Sequence, residues 1–160
     1  MKPESEDISR ILELLTQAPL RLENAIRDIQ PARLTLRSEE EPWSVSDLLA
    51  HLRTCSDIWG SRINDMITQD NPSMPYISPR SWMKKPKYTN QEFDAALEAF
   101  TQERQKLVKT LTDLDQAAWA RRGTFTGTSP RQRDQTVFSY SERIVNHEQP
   151  HLEQIESLLK

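Results

Sequence analysis

Residues 144–158 read Ile144-Val145-Asn146-His147-Glu148-Gln149-Pro150-His151-Leu152-Glu153-Gln154-Ile155-Glu156-Ser157-Leu158. Extended upstream, the pattern places Val137, Tyr140, Ile144, His147, His151, Ile155 and Leu158 in steps of three and four, one stripe of an α-helix. His147 and His151 lie on that stripe one turn apart. Both imidazoles therefore face inward and can reach a single ion. A helix that turns two histidines inward needs other helices to cover them.

The same period recurs three times upstream. Ile8, Ile11, Leu12, Leu15, Leu22, Ile26 and Ile29 predict a first helix, kinked at Pro19. After the polar stretch 37–41, Pro42-Trp43-Ser44 opens a second helix with Ser44 as N-cap and Asp47 at the capping-box position. Its stripe is Val45, Leu48, Leu49, Leu52, Cys55, Trp59 and Met66, ending near Gln69, and His51 shares that face. Pro72, Pro75, Pro79 and Pro86 make residues 70–87 a long connection. A third helix, capped near Thr89 or Asn90, carries Phe93, Leu97, Phe100, Leu107, Leu111 and Leu114, with Arg104 in the one gap. A second connection covers 115 to about 134. The expectation is an all-α four-helix bundle with long crossover connections, one domain over 1–160.

Composition narrows the function. Only three glycines occur, too few for repeated hairpins. A net charge of −3, with Lys and Arg dispersed, gives no footprint for nucleic acid. No apolar run approaches the roughly 20 residues that span a bilayer, and the start of the chain lacks a signal-peptide core. A cytoplasmic protein without membrane or nucleic-acid partners is expected. Cys55 is the sole cysteine, and its apolar face marks it as a small core residue.

All three histidines of the chain thus occupy inward positions, where uncompensated polar groups are costly. Three separately hydrogen-bonded core histidines would be the bland account. One divalent transition metal held by His51, His147 and His151 explains the distribution more simply, and leaves a coordination position open. His147-Glu148-Gln149-Pro150-His151 also fits the H-E-x-x-H pattern of zinc proteases. Against this, Pro150 sits inside the motif, and Gln154 and Ser157 stand where the extended pattern wants Gly and His.

Pro42-Trp43-Ser44, His51 seven residues after that serine, Trp59, and the run His147 to Ile155 resemble the DinB-like family of helical metalloproteins over nearly the whole chain. The resemblance implies a four-helix bundle in which His51, His147 and His151 hold a metal, nickel or zinc. It also implies a homodimer, to which an exposed Trp82 could contribute, and thiol-dependent chemistry like that of mycothiol-using isomerases and bacillithiol transferases. The expected partners are therefore a low-molecular-weight thiol and an electrophilic small molecule. Such an ion would lower the pKa of a bound thiol or water, so the alternatives are a metal-dependent hydrolase or a non-catalytic metal-binding stress protein that senses or sequesters the ion. Glu148 and Glu153 point off the ligand face, as supporting or surface groups. Two assignments stay open for Arg104: a salt-bridged or snorkelling side chain, or an anion anchor facing the metal cavity. Tyr140 is either core or part of that cavity's wall.

Overall fold

The computed structural model describes residues 2–160. Four long helices form it: α1 (Ser5–Ile26), α2 (Val45–Thr68), α5 (Phe93–Thr112) and α6 (Val137–Leu158). Between them lie two one-turn helices, α3 (Pro79–Trp82) and α4 (Pro86–Thr89), and three short strands, β1 (Ser73–Pro75), β2 (Arg122–Thr126) and β3 (Asp134–Thr136). α1 and α2 each pack on both α5 and α6, so the consecutive pairs α1/α2 and α5/α6 sit across the diagonals of the bundle. The connection from α1 to α2 and the one from α5 to α6 must therefore cross an end of the bundle, whereas the long connection over 70–87 joins two helices that pack together.

Ser44 starts α2 as its spacing predicts. Its hydroxyl accepts from Asp47 N at 3.1 Å, and Asp47 Oδ2 accepts from Ser44 N at 2.8 Å. That reciprocal cap is worth about 1 kcal/mol. Pro19 lies inside α1 without ending it. It offers no N–H to the Leu15 carbonyl, and Arg104 Nη1 donates to that oxygen instead, at 3.0 Å.

The expected cap of the third helix at Thr89 or Asn90 is corrected: Glu92 precedes α5, and Thr89 ends α4. Pro86 is preset for a first helical turn, and the amides of Tyr88 and Thr89 close back on Lys85 O, which uses these residues up. The connections also carry a sheet that the helical period did not announce. β1 pairs parallel to β2, with Met74 opposite Phe125, and β2 pairs antiparallel to β3. The backbone of Gly123 packs against Met66 and Met74. A Cβ there would collide with Met74 Cε and stand 2.9 Å from Met66 Cγ.

The core is divided. One apolar cluster gathers Leu15, Cys55, Trp59, Leu111, Trp119 and Ile144, and a second gathers Ala18, Leu48, Leu52, Phe100, Leu152 and Ile155. The boundary falls at Arg53 and Thr54 in α2, one turn from His51, at Arg104 in α5 and at His147 to His151 in α6; in α1 it falls between Leu15 and Ala18, where the Leu15 carbonyl meets Arg104. A polar layer thus crosses the middle of the bundle.

Candidate metal centre

The three histidines occupy the α2/α6 side of this layer. Nε2 of His51 and Nε2 of His147 are 2.9 Å apart, and one ligand nitrogen from each of His51, His147 and His151 lies within 4.8 Å of the others. Ring centroids are 5.0 Å apart for His51/His147, 5.1 Å for His51/His151 and 4.8 Å for His147/His151, all edge-on. Trp43 lies 4.9 Å from the His51 ring and Trp59 5.1 Å from that of His147, so two indoles limit ring rotation. His151 Nδ1 is 3.3 Å from Gln154 Oε1, and Gln154 Nε2 donates to Glu41 at 2.8 Å. A proton on Nδ1 leaves the Nε2 lone pair of His151 free, the usual arrangement around a metal-ligating histidine.

Burial pushes His51 and His147 down to about 4, with the charges of neighbouring histidines and arginines adding to the effect. Both are neutral at physiological pH, the form in which imidazole binds metal. Nitrogens about 2.0–2.1 Å from a tetrahedral ion stand about 3.3 Å from one another, so small ring rotations bring this cluster to that spacing. The residues fit a divalent ion. Cys55 Sγ stands 3.7 Å from His51 Nε2 and 3.6 Å from His147 Nε2, but it is not part of the converging group. Burial raises the Cys55 thiol to about 12, which leaves it protonated and unreactive by itself.

The histidines open onto a cavity of about 570 Å³, whose wall is completed by Trp59, Tyr76, Ser78, Arg80, Arg143 and Asn146. Among the described residues no carboxylate lines it. Its size is in the usual range for small-molecule sites.

The family model of the DinB superfamily matches residues 14–155. The chain belongs to the DinB superfamily. Among curated proteins, none matches its sequence. Among solved structures it is similar to YfiT from Bacillus subtilis, described as a probable metal-dependent hydrolase with an unusual four-helix bundle topology. That likeness has a TM-score of 0.81 at 17% identity, and covers 98% of this chain and 87% of YfiT. At this identity it establishes the fold alone.

In this DinB-superfamily chain Arg104 is not an anchor in the metal cavity. It is 1% exposed and grips Glu148 through two bonds, Nη1 to Oε1 at 2.9 Å and Nη2 to Oε2 at 2.7 Å. Arg104 Nη2 also donates to Ser56 at 3.3 Å. Of the two assignments open for Arg104, the salt bridge describes its place. Glu148, expected as a supporting or surface group, is 2% exposed, because the guanidinium draws it into the bundle axis. Tyr140 is corrected as well: it stacks on Phe125 at 4.8 Å in the apolar core, outside the cavity wall. Trp82, expected to be exposed, is half-buried against the core with Lys85 Nζ 3.1 Å from its ring centre. No helix is long and apolar enough to cross a membrane among the described residues. Sequence reasoning missed Arg80, Arg143 and Gln154. The His151/Gln154 spacing of three was a usable signal, whereas Arg80 reaches the site from a connection with no periodicity.

Proposed function

We propose that this chain is a metal-dependent enzyme acting on a small molecule in the histidine cavity. The observation that carries this reading is three imidazoles converging at the floor of a solvent-connected cavity without a fourth protein ligand in the group. A structural metal site closes its coordination shell with protein, and this one faces open space. A divalent ion there, zinc or nickel by family resemblance, would supply Lewis acidity and lower the pKa of a bound thiol or water.

For the reaction, we favour transfer of a low-molecular-weight thiol to an electrophile. The cavity wall offers no carboxylate to take a proton from water, and Glu148, the one acid next to the ligands, is locked to Arg104. A thiol gives up its proton to solvent far more readily than water does, and so needs no such base. Within the chain, His51, His147 and His151 bind, Trp43 and Trp59 hold the rings in place, and Gln154 fixes the tautomer of His151. Hydrolysis is the second reading, favoured by the description of YfiT.

The test is metal titration followed by assay of the loaded protein with cellular thiols and an electrophile, reading free thiol against time. About one equivalent of metal should bind per chain. His151→Ala should raise the metal Kd at least about a hundredfold, since even partners of a ligand are worth 10–100-fold. Stoichiometric metal in that variant would overturn the metal-dependent reading. A loaded protein that binds metal but consumes no thiol would leave hydrolysis.

A further inference from the structure

The charge around the cavity is not that of the chain. The protein carries 24 acidic against 21 basic side chains, yet the cavity wall holds Arg80 and Arg143 and, among the described residues, no acid. Neither arginine is within ion-pairing reach of a carboxylate among the described residues, although eight other basic side chains are. Arg143 Nη1 donates to the neutral Gln132 Oε1 at 2.9 Å, and its guanidinium lies 5.0 Å from the Trp59 ring and 5.7 Å from that of Tyr140. Arg80 is exposed and lies over Trp43 at 5.0 Å.

The indoles fix where these cations stand without neutralising them. Trp43 packs against both His51 and Arg80, and Trp59 against both His147 and Arg143. Both guanidiniums are thereby held beside the imidazoles, in the wall of one cavity. Two like charges at one cavity, with a divalent cation expected at its floor, repel one another unless an anion enters. A guanidinium matches the oxygens of a carboxylate or phosphate better than any other side chain does. Beside it, the exposed Tyr76 offers aromatic surface for an apolar body.

We infer that Arg80 and Arg143 form an oxyanion-binding subsite, and that the substrate of this cavity is a small molecule bearing a carboxylate or phosphate next to an apolar group. The term substrate rests on the enzyme reading above, but the subsite itself does not.

Calorimetry on the metal-free protein at about pH 7.5, where the unperturbed imidazole is neutral, isolates the arginines. The probes are benzoate, phenyl phosphate and the uncharged benzamide. Benzoate or phenyl phosphate should bind at least about tenfold more tightly than benzamide, the stronger of the two identifying which oxyanion the subsite prefers. Arg80→Ala and Arg143→Gln should each weaken that probe about tenfold or more while leaving zinc stoichiometry unchanged. Arg143→Gln keeps part of the stem over Trp59, and Arg80 is exposed, so both variants should fold. Equal affinity for benzamide and the anions, or unchanged anion affinity in both variants, overturns the subsite. Anion binding without zinc binding would instead sink the metal reading and leave the subsite standing.

Discussion

The two halves of the polar layer that crosses this bundle use buried charge in opposite ways. On the axis, Arg104 and Glu148 are closed in by all four long helices, and Ser56 and the Leu15 carbonyl take up further guanidinium hydrogens. One residue away along α6, His147 opens onto a cavity beside two arginines that have no acid. Glu148 and His147 are chain neighbours about 100° apart around the helix, which is enough to put one in a sealed pair and the other at an open site. In the sealed half the carboxylate and both Nη groups of the guanidinium are already paired within the protein. The open half has groups that only a ligand can complete.

This contrast breaks most visibly if the sealed pair is cut. Glu148→Ala strands a buried guanidinium and should cost about 3–5 kcal/mol, a large part of the stability of a domain this size. Replacing both partners by apolar residues, Arg104→Met with Glu148→Leu, should recover most of that loss, because no charge is then left unpaired. Urea midpoints of the three proteins test this, and equal midpoints for the single and double variants would show that the pair is not sealed. Since Arg104 also replaces the donor that Pro19 lacks, the double variant should stay somewhat below wild type.

Much of this architecture was legible in the sequence. Helices of 20 to 24 residues repeat their period five or six times, so α1, α2, α5 and α6 stand out, and Ser44 with Asp47 marks the start of α2. The three inward histidines could be named because a polar residue on an apolar stripe is visible without coordinates. Arg104 broke its stripe as visibly, but a stripe cannot tell which inward neighbour a charge meets. Its partner, Glu148, lies on the diagonally opposite helix, and that depends on packing. Strands of three to five residues are too short to show alternation, which hid the sheet. Arg80 belongs to a one-turn helix in a proline-rich connection, where no pattern says which way a side chain points.

Acid should separate the two halves next. The folded protein holds His51 and His147 at about 4, against 6.5 for the unperturbed side chain. Above pH 6.5 both the folded and the unfolded chain carry these groups neutral, so they add no pH dependence. Between about 6.5 and 4 the unfolded chain takes up protons that the fold refuses, and stability falls; below about 4 this contribution stops growing. Metal-free protein should therefore lose stability across that window in thermal melts, and saturating zinc should carry the plateau to lower pH. A metal-free protein whose stability is flat from pH 7 to 4 would mean that the histidines are not buried as neutral groups.

The smallest effect sharpens the contrast furthest, because it asks whether the open half is open at the metal itself. Cys55 Sγ stands 3.7 and 3.6 Å from the Nε2 atoms of His51 and His147, close to the sulfur–nitrogen spacing of about 3.6 Å in a tetrahedral shell. A fourth ligand must keep that spacing to all three nitrogens, and Cys55 falls outside the group that includes His151. Its thiol is also pushed up to about 12, so binding it would first cost a buried deprotonation. Cys55→Ala should accordingly change zinc affinity by less than about threefold and stability by about 1 kcal/mol, the cost of one small buried group. Cobalt-substituted wild-type protein without added thiol should show no sulfur-to-cobalt charge-transfer band, and adding an exogenous thiol should create one. A band present before any thiol is added, and lost in Cys55→Ala, would close the fourth position with protein and turn the centre from a reactive site into a structural one.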